Sequence, residues 1–321
     1  MRNKVLLCLF AFAGVALAQQ AGKGLPPLAK MTVRVISEQG EPISDAIVTI
    51  RFREAVAFNK NGWSIGKTDS QGNYVAEGRH NDMRLDASVG KEGYYGSGTS
   101  WIVFNDLVLG KLQPWNPVAE VSLRPIGNPV ALYAKRVQTE IPVLERPCGY
   151  DLEKGDWVAP YGHGMIPDFI FTAHRQYTSR NDYEVRVQLS FSNPKDGILK
   201  TFFPKIGKHS AFRWEREAPQ AGYEQPVLLR EAVHGNTFID SFKEDDAHFF
   251  RVRAAGDNSG ITGNYGKISG GLRLYGANSQ TCILKFAYYF NPISQDRNLE
   301  WNMKKNLFTG LKRDEVPVAP Y

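Results

Sequence analysis

The sequence predicts an all-β protein made of two successive units, and three observations carry that prediction. Short apolar runs alternate with polar residues at a period of two through most of the chain. Clusters of Gly, Asn, Asp and Pro punctuate those runs at spacings suited to strand-to-strand turns. Between residues 130 and 321 there is no long apolar stripe of period 3.6, which a core-packed helix would need. The expected architecture is an N-terminal β-sandwich over residues 30–126, followed over residues 127–321 by a second β-sandwich or a jelly-roll-like unit.

Ahead of both units, Arg2 and Lys4 begin a stretch whose Val5–Val15 run is apolar and whose Ala16-Leu17-Ala18 ending has the small-x-small form of a cleavage site. Residues 1–18 therefore read as an export signal, too short to span a bilayer. Cys8 lies inside the apolar run, not after it as a lipoprotein signal requires, so Gln19 is the expected new N-terminus. The mature chain is expected in the periplasm, on the cell surface or outside the cell, with no transmembrane segment. Of 39 Lys and Arg against 33 Asp and Glu, cleavage removes two cations, leaving a net charge of +4. The basic residues are dispersed, which excludes a nucleic-acid stripe. Attraction to an anionic envelope polymer remains as a second reading of the mild excess.

The first unit is justified strand by strand. Thr32, Arg34 and Ile36 alternate with Val33, Val35 and Ser37 until Gly40-Glu41-Pro42 breaks the run. Ala46, Val48 and Ile50 then share one face of a second strand, with Ile47, Thr49 and Arg51 on the other. In Lys67–Tyr74, Asp69 can bond its own backbone and Gly72 can take positive φ, so a tight turn is expected. Met83–Val89, Ser100–Phe104 and Ala119–Leu123 supply further strands. Two motifs, Gly40-x-Pro42-Ile43-x-x-Ala46-x-Val48 and Thr68-Asp69-x-x-Gly72-x-Tyr74, resemble the carboxypeptidase regulatory-like domain, a transthyretin-like β-sandwich of secreted bacterial proteins. The resemblance covers about residues 31–125 and implies a scaffold. The zinc site of the associated peptidases has the form H-x-x-E, and none of His80, His163, His174, His209, His234 and His248 has an acidic residue three positions on.

Arg124–Pro129 marks the boundary. Periodicity does not decide whether Val130–Val137 is a strand or a short helix. Phe169–Ala173 and Tyr183–Phe191 form a hairpin around Ser179–Asp182, and Lys267–Tyr275 pairs with Thr281–Phe290 through Gly276–Ser279. The texture of Asp156–Gly162 and of Asn291–Phe308 resembles an uncharacterised domain of secreted bacterial proteins, a likeness that brings no activity with it.

Chemistry is sparse. Cys148 and Cys282, the pair left after export, could form one disulfide in an oxidising compartment or remain buried thiols. Trp157, Tyr161, His163 and Asp168 are the candidate binding residues: aromatic platforms beside polar groups suit a sugar, while Pro160 and Gly162 equally suit a packed corner. Lys243–His248 reads as an acidic turn, lacking calcium-loop spacing. The Gly-rich stretch 257–271 lacks a phosphate-loop pattern, and G-x-S-x-G is absent. No catalytic residue, metal site or cofactor is expected. The function implied is a non-enzymatic envelope or extracellular binding or structural protein, with a cell-envelope or extracellular polysaccharide or protein as partner. A carbohydrate-binding module or polysaccharide-acting enzyme in the second unit is the alternative.

Overall fold

The computed structural model describes residues 25–53, 61–202, 209–243, 246–257, 260–276 and 281–317. The expected export signal over 1–18 lies outside the described residues, as do Cys8, Glu244, Asp245 and the 277–279 part of the expected hairpin turn. Every regular element among the described residues is a strand, so the chain is all-β. No helix there is long and apolar enough to cross a membrane.

The first eleven strands are β1 (Leu28–Ile36), β2 (Ile47–Arg53), β3 (Asn61–Lys67), β4 (Asn73–Arg79), β5 (Arg84–Leu85), β6 (Ala87–Gly90), β7 (Ser97–Gly98), β8 (Ile102–Val103), β9 (Asp106–Val108), β10 (Lys111–Gln113) and β11 (Val118–Ser122). One sheet is centred on β1, which pairs antiparallel with β4 and parallel with β10 and β11. A second has the order β3-β2-β6-β7, and β5 pairs with β8 alone. Alternation decides which side chains meet between them: Ala29, Met31, Val33 and Val35 of β1 and Val48, Ile50 and Phe52 of β2 are buried in one core. The turn before β4 forms as its residues dictate. Asp69 accepts the main-chain N–H groups of Gln71 and Asn73 at 2.9 and 2.8 Å. Gly72 has φ 77° and presses so close to the Val35 carbonyl that a Cβ would sit 2.4 Å from it.

The remaining strands are β12 (Val130–Glu140), β13 (Pro147–Asp151), β14 (Asp156–Trp157), β15 (Phe169–Ser179), β16 (Asp182–Ser190), β17 (Gly197–Phe202), β18 (Val227–His234), β19 (Thr237–Asp240), β20 (Asp246–Asp257), β21 (Gly260–Tyr275), β22 (Ile283–Phe290) and β23 (Trp301–Asn306). They form two six-stranded sheets, β17-β20-β21-β22-β12-β23 and β14-β13-β15-β16-β18-β19. Both expected hairpins are present as β15–β16 and β21–β22. The undecided stretch after 130 is strand β12, because β22 pairs along it from Tyr133 to Glu140. The inward faces of the two sheets meet in a core of Phe169, Phe171, Val185, Val187, Phe250, Leu284, Phe286 and Tyr288. Much of the Gly-rich stretch is strand β21, and Gly270 and Gly271, both at positive φ, make the bulge between Ser269 and Arg273.

A third cluster joins the two sets of strands: Tyr95 packs with Leu132, Phe212, Trp214, Tyr289, Leu299 and Trp301. At its rim Glu300, 1% exposed, accepts from Tyr95 Oη at 2.6 Å and from the Gly127 and Asn128 N–H groups at 2.8 and 3.0 Å. Arg216 Nε lies 3.5 Å from the same carboxylate. Beside it the buried Arg124 donates to Glu38 at 2.8 Å and to the carbonyls of Phe212 and Trp214 at 3.1 and 2.8 Å.

The cysteine bridge is not formed: Cys148 and Cys282 are both free and buried. Cys148 donates weakly to the Phe171 carbonyl at 3.4 Å. Cys282 lies where the charges of Glu231 and Arg175 act on it. Burial pushes Cys148 up to about 11 and Cys282 up to about 12, keeping both as thiols at neutral pH.

Two stability predictions follow from these buried groups. Glu300→Ala is expected to cost about 3–5 kcal/mol in urea unfolding because Arg216 and three donors lose their acceptor, whereas Tyr95→Phe should cost about 1–3. Costs below about 0.5 kcal/mol for both would remove the carboxylate from its structural role. The second concerns His248, whose Nδ1 is buried without a hydrogen-bond partner. Burial lowers its pKa from 6.5 to about 4, with Asp246 opposing and Lys200 assisting. The unfolded chain then takes up this proton first as pH falls. The contribution of this histidine should therefore lower stability by up to about 3 kcal/mol between pH 6.5 and 4 and change no further below, and His248→Leu should flatten that decline in melts across the window.

Candidate functional site

The residues singled out from sequence do not line one groove. Trp157 is 5% exposed, wedged edge-on against Tyr150 and Phe171, and its Nε1 donates to Thr139 Oγ1 at 3.0 Å. Asp168 is 3% exposed and receives both Nε and Nη2 of Arg253, at 2.8 and 2.9 Å. It also accepts the Leu152 N–H at 3.0 Å. Burial raises the pKa of its carboxyl, although Arg253 and the Leu152 amide pull the other way. Arg253 reaches on to Glu153, completing a pinned network. Tyr161 is 40% exposed and the His163 side chain almost fully so. Two of the four are thus packed into the body, and two stand on the surface loop.

Two carboxylates explain that loop. Asp151 accepts the N–H groups of Glu153 and Lys154 on one oxygen and of Met165 and Ile166 on the other, all between 2.9 and 3.0 Å. Burial works to raise its pKa, but the four donors together outweigh it and hold the carboxyl below its ordinary value. Asp156 accepts the Trp157 N–H at 2.8 Å and both the N–H and the ring Nδ1 of His163, at 2.8 and 3.1 Å. Its pKa is also lowered, with burial again opposing and the His163 contacts prevailing. The aspartates serve as main-chain anchors of a corner, and their acceptor capacity is largely spent on it.

One concave site runs along the outward face of β21, β22 and β12, and the buried Tyr150 and Trp157, with Asp156 of the same corner, reach its lining. Cross-strand partners there are Arg136 with Ala287, Gln138 with Lys285, Ser269 with Ala287, and Arg273 with Lys285. Alternation puts Arg136, Gln138, Lys285, Ala287, Ser269 and Arg273 on one face, opposite the buried Leu284 and Phe286. Segment 312–317 borders the face through the Arg136 N–H, which bonds the Glu315 carbonyl at 2.7 Å. The resulting groove has a volume of about 830 Å³.

Cations outnumber carboxylates in it. Lys135, Arg136, Arg213, Arg273, Lys285 and Lys312 line it against Asp156, Asp314 and Glu315. Lys135 is neutralised by Glu315 at 3.2 Å, and Asp156 is held by His163. Among the described residues Arg136, Arg273 and Lys285 have no carboxylate partner. Arg273 lies between two rings, 4.9 Å from Phe242 and 4.8 Å from Tyr275, and Lys285 sits 4.6 Å from the same tyrosine. Cations held on aromatic rings keep their charge available to a ligand while losing side-chain freedom in advance. Among the described residues no group of three or more His, Cys, Asp or Glu is placed to hold a metal.

Sequence reasoning missed these cations because each reads as an ordinary outward position: Arg273 between Leu272 and Leu274, Lys285 between Leu284 and Phe286. The register that lines them up across three strands is set by pairing, including a glycine bulge, and pairing is not written in any one segment.

No protein family's profile matches the chain, and no curated protein matches it. Among solved structures, 3-chlorocatechol 1,2-dioxygenase from Rhodococcus opacus 1CP is similar at 10% identity and TM-score 0.23, over 31% of this chain and 59% of its own. The chain therefore spans less than two thirds of that enzyme. A DUF3823 family protein from Parabacteroides merdae ATCC 43184 is similar at 10% identity and TM-score 0.21, over 81% of this chain and 98% of its own. Neither likeness transfers a ligand or an activity.

The buried and the exposed aromatic of the corner make opposite predictions on mutation. Trp157→Ala is expected to destabilise by about 3–5 kcal/mol, as loss of a buried indole does, and Tyr161→Ala by about 0.5 or less. Thermal melting of the two variants checks this, and a small effect at Trp157 would return it to the list of binding residues.

Proposed function

We propose that this chain is an exported, non-enzymatic binding protein of the envelope or extracellular space, whose second unit recognises an anionic partner in the groove of β21, β22 and β12. The observation that carries this reading is the set of Arg136, Arg273 and Lys285 on one face, without carboxylate partners among the described residues, beside a cavity of about 830 Å³. Unpaired cations in a concave site concentrate anions there, and the attraction falls with salt. The earlier alternative, a sugar held by Trp157, Tyr161, His163 and Asp168, loses support because Trp157 and Asp168 are buried.

Within this reading, residues 30–126 form the regulatory-like, transthyretin-like scaffold and residues 127–321 the binding unit. The Gly40–Val48 and Thr68–Tyr74 motifs support the first assignment, and the basic, apolar, small-residue layout of residues 1–18 supports export. The partner is a cell-envelope or extracellular polymer bearing carboxylates or other anions.

Titration with polygalacturonate and with polyglutamate at low ionic strength tests the reading. At least one is expected to bind, with affinity falling as salt is added. Arg273→Ala combined with Lys285→Ala should weaken that binding about 2- to 30-fold, from roughly 0.2–1 kcal/mol per exposed charge pair, with no change in melting. Absence of binding to both polyanions, or binding indifferent to salt and to the double variant, would overturn it.

A further inference from the structure

Among the described residues no strand pairs with the last part of the β12 edge, which runs into the groove. Pairing with β23 is confined to Val130 and Leu132. The Asn306 side chain then takes over at Ala134, accepting its N–H at 3.1 Å and donating to its carbonyl at 2.8 Å. At the next outward position the Arg136 N–H is taken by the Glu315 carbonyl. On the opposite edge the odd-numbered residues face β22, as the Ile141 N–H on the Cys282 carbonyl at 2.9 Å records. Main-chain groups of an antiparallel strand alternate from edge to edge, so Gln138 and Glu140 direct theirs outward as Ala134 and Arg136 do. Among the described residues no main-chain group pairs with Gln138 on that edge. Five consecutive residues, Lys135 to Thr139, line the groove, as a strand does when its edge borders the space.

We infer that this edge takes an extended acidic segment of a protein partner as an added strand. The inference deepens the proposed anion-binding function and rests on it. An added strand beside Gln138 and Glu140 sends alternate side chains to the outward face, where Arg136 is the nearest cation and Lys285 and Arg273 stand one and two strands further across the sheet, and the others toward Thr139 and Val137. The segment that fits therefore alternates acidic with small apolar residues. A sugar polymer would want free ring faces, whereas of the rings lining the groove Phe242 is already faced by Arg273, and Tyr150, Trp157, Phe286 and Tyr289 are buried. A peptide needs no ring, only the donors and acceptors that the edge leaves open.

Fluorescence anisotropy of the full chain with a labelled Glu-Val-Glu-Val-Glu-Val peptide tests this, alongside the same peptide N-methylated at alternate residues and polygalacturonate. The unmodified peptide is expected to bind at least about 10-fold more tightly than the N-methylated one, the equivalent of one or two main-chain hydrogen bonds. Gln138→Pro should cause a similar loss for the peptide while leaving the melting temperature unchanged, since a proline whose N–H faces away from the sheet is tolerated on an edge. Equal binding of the two peptides, or binding of polygalacturonate alone, overturns strand addition and leaves the anion-binding reading standing. Failure of all three probes overturns both. A concentration-dependent dimer that excludes the peptide would assign the edge to a second copy of the chain and overturn the inference as well. If Gln138→Pro does not fold, the comparison of the two peptides decides alone.

Discussion

The Glu300 carboxylate is the contact on which the arrangement of the molecule depends. It is a buried charge, and a buried charge is tolerable only when its acceptor sites are filled. Here they are filled from both sets of strands: Tyr95 from the first, the Gly127 and Asn128 amides from the connection, and Arg216 from the second. Arg124 repeats the pattern in the opposite direction, carrying a cation from the end of the first set onto the Phe212 and Trp214 carbonyls of the other. Neither residue can be satisfied by its own unit alone. The joint is therefore specific as well as adhesive, because any other docking would strand a buried charge.

Lys267 shows how far that joint extends. Its amine is fully buried against Phe212, Trp214 and Tyr289, within 4.9–5.2 Å of each ring, and donates to the Leu299 carbonyl at 3.0 Å. Burial drives its pKa well below the usual lysine value, opposed by the nearby Glu300. The rings favour the charged form and burial the neutral one. With the desolvation of a whole ammonium at stake, burial is the larger effect.

Strand positions, both long hairpins and the Asp69–Gly72 turn are legible in the sequence because each depends on neighbours a few residues away. The corner around Trp157 is legible only halfway. Its aromatic and polar composition is visible, but not that the oxygens of Asp151 and Asp156 are committed to main-chain amides up to fifteen residues on. Asp168 misleads for a similar reason, its partner Arg253 being 85 positions distant. The cysteines illustrate the limit of counting: an even pair suggests a bridge, yet both are free, buried thiols of one core. The cationic groove is the extreme case, since Arg136, Arg273 and Lys285 converge only through pairing of three strands with a bulge in one.

The joint and the groove share one sheet face, which is why the first set of strands bears on the shape of the groove although none of its described residues lines it. At one end of that face Ala134, Lys267 and Tyr289 lie under Phe212 and Trp214; at the other Arg136, Arg273 and Lys285 are open. The cover is chain 209–214, which begins outside the last strand that precedes it and is fixed largely by groups of the first set. Ser100 bonds His209 at 2.7 Å, the Gly96 carbonyl takes the Ala211 N–H at 2.8 Å, and Arg124 holds the carbonyls on either side of Arg213. Arg213 itself lines the groove. The first set thus decides where the cover ends and the open face begins, and it places one of the six cations there. The first set of strands can in this way set the length and charge of a groove built on the other.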